Sequence, residues 1–171
     1  MCTFLYLNHL QIADNHASLN DVALKASWEI DYSEKKAILF DEGTQKFNTT
    51  MYASVARAAV SILRSPAEFA NKVLYIHDFR TTQREVLEIV ESEVGGTFEM
   101  TSLNTEEMGK KALEGLARGE RNRQNIAAGI RSGVWGQEGA ADWDEDDDSE
   151  RLGLEKKDLR EEIKRKIAAG M

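Results

Sequence analysis

The chain has 171 residues and carries 30 acidic against 22 basic side chains, a net charge of −8. That length supports one domain with a moderate core, and an apolar share of 42% is normal for a globular chain. A negative field repels phosphate backbones, which argues against a nucleic-acid partner.

The single cysteine, Cys2, excludes an internal disulfide framework and fits a reducing compartment, the cytoplasm. No apolar run approaches the roughly 18 residues needed to span a bilayer. The stretch Met1 to His9 has no basic segment followed by a clean apolar one, so no signal peptide is expected. Cys2 stands where myristoylation needs glycine, so no membrane partner is expected.

Residues 1–30 form a poorly defined segment. Phe4, Leu5, Leu7, Leu10 and Ile12 fit a short helix or strand, and Val22, Leu24, Ala26 and Trp28 make a second apolar-spaced piece. His9 and His16 lack a converging ligand set, so they read as surface residues. Lys36 to Phe40 reads as a strand closed by the turn Asp41-Glu42-Gly43. Phe47 to Thr50 follows as a loop. Helical spacing then links Tyr52, Val55, Ala59, Ile62 and Leu63 on one predicted inward face. Thr49 or Thr50 is the expected N-cap, and Pro66 stops the helix.

Val73-Leu74-Tyr75-Ile76 is continuously apolar, the pattern of a strand buried on both faces in a parallel sheet. Thr82 and Glu85 form a capping box for a helix that buries Val86, Ile89, Val90 and Val94 and ends at Gly95-Gly96. Thr97 to Thr101 alternates as a half-buried strand. Strand, helix and strand predict a βαβ unit. Asn104 and Glu107 open a further helix through Met108, Leu113 and Leu116. Ile126, Ile130, Val134 and Trp135 mark another. Asp142 to Asp148 is an acidic loop, expected to be a flexible connector. Leu159, Ile163 and Ile167 stripe a last helix whose charged outer face is solvated. Three confident strands are too few for a doubly wound sheet.

From Ala37 to about Lys110 the sequence resembles the C-terminal half of the NmrA-like and isoflavone-reductase-like family of atypical short-chain dehydrogenase/reductases. Asp41 to Asn48 is similar to that family's G-D-G-N-x-K-x-F-N loop. Met51 to Leu63, with Arg57-Ala58, resembles its D-I-G-R-A-V-A-x-x-L helix. Ser65-Pro66 stands where the family has D-P-R. Asn71-Lys72-Val73-Leu74-Tyr75-Ile76 resembles N-K-x-L-Y-I, and Val90 to Glu99 resembles W-E-K-x-I-G-K-T-L-E. The opening Asn104-Thr105-Glu106-Glu107 matches the helix that follows. The resemblance implies an α/β fold: the C-terminal, substrate-side portion of a Rossmann-type NAD(P)-binding fold, with an incomplete parallel sheet and several helices. The expected organisation is residues 1–30, an NmrA-like portion at 31–140, and an acidic loop with a charged helix at 141–171.

The family's cofactor, NADP or NAD, enters by resemblance only. Its members hold the pyrophosphate on a glycine-rich loop after the first strand. G-x-G-x-x-G does not occur here; the spacing G-x-x-G-x-x-G at Gly133, Gly136 and Gly139 closes the helix pattern that ends at Trp135, and Gly95-Gly96 likewise follows a helix instead of a strand. The region supplying the family's active-site lysine has no counterpart, and Ser54 replaces the aspartate before I-G-R-A. The sequence therefore nominates no catalytic, cofactor-binding or metal-binding residue. It predicts a truncated member that neither binds the cofactor nor catalyses by itself. The alternative is a non-enzymatic regulatory protein that senses dinucleotide state or binds a partner.

By resemblance Phe47, Asn48 and Thr49 lie near a small-molecule substrate; the plain alternative is a turn with an N-cap. His77 with Asp78 has the chemistry of a base and its orienter, but a turn histidine and a helix-opening aspartate is the simpler reading. The run Asp144 to Glu155 places carboxylates as a calcium loop does, yet Ser149 replaces the required glycine. Trp135 and Trp143 line a pocket or simply pack. An incomplete sheet leaves an exposed apolar edge, predicting self-association or a protein partner.

Overall fold

The computed structural model describes residues 28–136, 141–143 and 147–168. The apolar pieces expected before Trp28, with His9 and His16, lie outside them. The elements in order are β1 (Ile30–Asp31), β2 (Lys36–Phe40), β3 (Lys46–Thr49), α1 (Tyr52–Arg64), a short α2 (Pro66–Phe69), β4 (Phe79–Thr82), α3 (Gln83–Val94), β5 (Glu99–Leu103), α4 (Thr105–Ala117), α5 (Arg123–Trp135) and α6 (Leu159–Ala168). The fold is α/β. One sheet has the order β1-β2-β5 and a second pairs β3 with β4. Within the first, β1 and β2 are antiparallel, while β2 and β5 are parallel with Ala37 opposite Met100.

Local chemistry explains several boundaries. After β2 a tight turn spans Asp41–Gly43, with positive φ at Glu42 and Gly43. A Cβ on Gly43 would stand 3.1 Å from a Leu39 methyl, so backbone freedom and space both select glycine there. The Thr82–Glu85 capping box forms in both directions, and Gly95 ends α3 with φ 74°. Pro66 sits in the first turn of α2, just past the end of α1.

Two clusters form around the first sheet. Ile30, Ala37, Leu39, Val86, Leu87, Val90, Phe98 and Ile163 make one, joining sheet, α3 and α6. Phe40, Phe47, Val134, Trp135 and Ala141 make the other. There Phe40 stacks on Trp135 at 4.6 Å, and Phe47 meets Trp135 and Trp28 edge-on at 6.0 and 5.3 Å. Such pairs each add about 0.5–1.5 kcal/mol beyond area burial.

The central expectation fails at Val73 to Ile76. This stretch is not in a sheet; its one ladder contact is a parallel bridge from Tyr75 to Asp147, and Val73 is 65% exposed. An apolar run becomes a buried strand only where flanking strands take its N–H and C=O groups. Here residues 147–149 occupy one side instead. The parallel partners are therefore β2 and β5, and the expected βαβ unit through 73–76 does not form. Phe47 to Thr49 is a strand rather than a loop. The half-buried strand expected at Thr97 to Thr101 lies at Glu99–Leu103 with every residue exposed.

Two helices present other faces than expected. In α1 the buried positions are Ser54 and Ala58, while Tyr52, Val60 and Leu63 face solvent. In α4 they are Thr105, Gly109, Ala112 and Gly115, and Leu113 is exposed. Small residues let α5 approach: a Cβ on Gly109 would lie 2.3 Å from Ser132 Oγ, and one on Gly115 2.3 Å from Asn125 Nδ2. No helix of the described residues is long and apolar enough to cross a membrane.

Candidate functional site

The antiparallel β3–β4 pair and residues 75–78 meet the C-terminal segment on one side of the molecule. The register Asn48↔Arg80 and Thr49↔Phe79 sets Asn48 beside the residues at 141–143. The Asn48 backbone N–H donates to Ala141 O at 2.8 Å. Its side-chain amide donates to Trp143 O at 2.6 Å. Arg80 forks onto Asp142 with bonds of 2.6 and 3.1 Å. A bidentate pair fixes orientation as well as charge. Trp143 in turn lies against Tyr75 at 5.8 Å.

Of the residues the sequence nominated, Phe47 and Asn48 are each 2% exposed, and Thr49 is half-buried. Phe47 belongs to the aromatic cluster. Asn48 spends both ends of its amide on Trp143. Thr49 accepts from the Asp78 N–H at 2.9 Å and is the one of the three with surface toward solvent. Thr50 does not cap α1; its hydroxyl donates to Ile76 O. Trp135 and Trp143 do not share one wall: Trp135 is in the core, and Trp143 sits on Tyr75.

The cap of α1 comes from far along the chain. Asp78 accepts from Met51 N–H at 2.6 Å and from Ser54 Oγ at 2.7 Å, and Lys157 donates to both Asp78 and Ser54. The Asp78 side chain is 1% exposed. A carboxylate so placed compensates the helix dipole and is itself neutralised. Ser54 therefore does not leave a gap where the resembling family has aspartate; it joins a buried hydrogen-bonded pair. No spacing rule links residues 54, 78 and 157, so no sequence pattern signals this cluster.

His77, Asp147 and Ser149 have the residue types of a nucleophilic triad but not its geometry. Nδ1 of His77 stands 3.5 Å from Asp147 Oδ1. Ser149 Oγ donates to that same carboxylate, while also bonding the His77 backbone. A working serine must bond the imidazole, with the carboxylate on the ring's far nitrogen. Here serine and imidazole both face the acid, and Ser149 is buried. The arrangement is a fastening. It also corrects the picture of a free acidic connector: Asp148 exchanges bonds with Tyr75 at 2.7 and 3.0 Å. Asp144, Glu145 and Asp146, the start of the calcium-like run, lie outside the described residues. Among the described residues no cluster of three or more His, Cys, Asp or Glu side chains is placed to hold a metal.

A dinucleotide needs free N–H groups at a helix N-terminus for its pyrophosphate. Among the described residues a side chain caps the first turn of each long helix, taking one or two of its four free N–H groups. Asp78 serves α1, Thr82 serves α3, and Asn104 with Asp41 serves α4. Asn122 serves α5, and Asp158 serves α6.

Fold and site thus define an α/β chain with a small, partly parallel sheet and a packed polar face around β3. Part of the chain is similar to fungal oxidoreductases. Oxidoreductase poxI of Penicillium oxalicum is 34% identical over 65 residues, which is 38% of this chain and 21% of that protein. Oxidoreductase aprR of Aspergillus flavus is 25% identical over 99 residues, 58% of this chain and 33% of that protein. The chain thus spans between a fifth and a third of the length of these curated relatives. No family profile matches the chain, and no solved structure matches it.

Proposed function

We propose that this chain is the substrate-side portion of an NmrA-like or isoflavone-reductase-like oxidoreductase acting on a small molecule in the cytoplasm. The partial likeness to fungal oxidoreductases carries the reading, and the ordered resemblance from Ala37 to Lys110 supports it. Thr49 offers the substrate-facing surface. Phe47 and Asn48 act behind it: the one anchors β3 in the core, the other holds the Trp143 segment. NADP or NAD is the cofactor class of the whole reductase and is not held by this chain, which has no glycine-rich loop leading from a strand into a helix.

Titration calorimetry with NADPH and NADP tests the cofactor claim, with no heat expected; saturable micromolar binding would refute it. Amide chemical shifts during titration with small aromatic carbonyl compounds test the site. Shifts centred on Thr49, Trp143 and Tyr75 are expected, and a response confined to other surfaces would sink the assignment. A regulatory protein that binds a partner is the second reading, favoured by His77, Asp147 and Ser149 being fastened together rather than arranged for catalysis. It predicts no ligand response in either titration and a protein interaction that survives Thr49→Val.

A further inference from the structure

Among the described strands β5 alone has all of its residues exposed, including Met100 at 53% and Leu103 at 40%. Parallel strands are ordinarily covered, and an open edge is a template for another strand. Among the described strands the order β1-β2-β5 leaves one side of β5 at the sheet border. Glu99 N–H donates inward to Lys35 O at 2.8 Å. Along a strand paired in parallel, alternate residues bond to the same side. Glu99, Thr101 and Leu103 therefore bond toward β2, and the N–H and C=O groups of Met100 and Ser102 point outward.

We propose that this edge pairs antiparallel with the same edge of a second copy, about a two-fold axis through Thr101. The strand is self-complementary in that register. Met100 of one copy faces Ser102 of the other, and these outward residues exchange about four main-chain hydrogen bonds. Thr101 faces Thr101, a favourable pair. Glu99 faces Leu103, not a like charge, and already has Lys36 as its neighbour within the sheet. Such an isologous contact closes at two copies. A ribbon this short buries less than the roughly 1,200 Å² of a stable interface. The dimer is therefore weak, and salt strengthens it by screening the −8 charge of each chain.

Sedimentation equilibrium tests this across concentration and salt. A reversible monomer–dimer equilibrium that tightens severalfold with added salt is expected; a monomer throughout overturns the proposal. Geometry is tested with Thr101→Cys in a Cys2→Ser background. Facing residues of this pair type lie about 4.5 Å apart, within disulfide reach, so mild oxidation should give a covalent dimer. Leu113→Cys, exposed on α4, should not. Equal cross-linking of both variants refutes the register. Ser102→Pro removes an outward donor while sparing the bonds to β2, and Met100→Glu adds negative charge to two chains that already repel, without touching the backbone. Each should abolish the dimer, and a dimer that persists in a folded Met100→Glu protein overturns the proposal.

Discussion

The β2–β5 sheet with α3 and the stretch 71–78 both read as sheet-forming in the sequence, yet one is a sheet and the other is not. Lys36 to Phe40 finds a parallel neighbour along its whole length. Its end is sealed by Gln83, whose side chain accepts from Phe40 N–H and donates to Trp28 O and Ile38 O. Val73 to Ile76 also reads as strand-forming, but its strand-like pairing among the described residues is the single bridge from Tyr75 to Asp147. Strand propensity is a preference for a pleated, half-buried setting, and the setting has to be supplied by other chain. Where it is not, loose ends are tied by polar side chains: Asp148 to Tyr75, Ser149 to His77, and Lys157 to Asp78.

Breaking those ties should therefore hurt the 71–78 region most. Asp78→Ala removes the cap of α1 and strands Lys157; loss of one partner of a buried pair costs about 3–5 kcal/mol. Chemical unfolding should show that loss, with amide exchange rising first in residues 147–157 and α1. Normal protection there would mean that the cluster is not the fastening. Trp135→Ala attacks the other region. Removing a buried tryptophan costs about 3–5 kcal/mol, and its unfolding should remain one cooperative step. Gln83→Ala leaves the Phe40 N–H and the Ile38 and Trp28 carbonyls unpaired, at about 1–3 kcal/mol. Exchange should quicken at Phe40 before it does at Tyr75.

Smaller effects sharpen the contrast. Burial pushes the Lys166 ammonium below its ordinary 10.5, outweighing the help from Glu162; Arg165 lowers it further. The unfolded chain then binds the proton more readily, so folded stability rises as pH climbs through the window just below 10.5. Lys166→Met should flatten that slope and raise the melting temperature by a degree or two at neutral pH, on the order of 0.5 kcal/mol. A steeper slope would reverse the assigned cause. Val73→Thr should change stability by less than about 0.5 kcal/mol, as expected for an exposed site. A loss above about 1.5 kcal/mol would restore the buried strand.

What the sequence could say followed range. The capping box at Thr82, the stop at Gly95 and the α6 stripe around Ile163 depend on residues within one or two turns, and each was legible. The face of α1 was not. Apolar spacing favoured Tyr52 and Leu63, but Asp78 and Lys157 draw Ser54 inward and turn both residues to solvent. The face of α4 was hidden for a related reason: Gly109 and Gly115 matter only because α5 comes close enough to need them. At the candidate site, Phe47, Asn48 and Thr49 could be nominated by resemblance, whereas Asp142, Trp143 and Lys157 joined them through contacts spanning 62 to 103 positions.

The sequence by itself determined the α/β class, the local caps and stops at Thr82, Gly95 and Asn104, and the lack of a glycine-rich loop leading from a strand into a helix, since each is written in neighbouring residues. Tertiary structure alone decided which strands pair, which helix faces are buried and how the N-terminus of α1 is satisfied. Those outcomes depend on which distant segment arrives to take a given N–H, carboxylate or apolar face, and no local pattern carries that information.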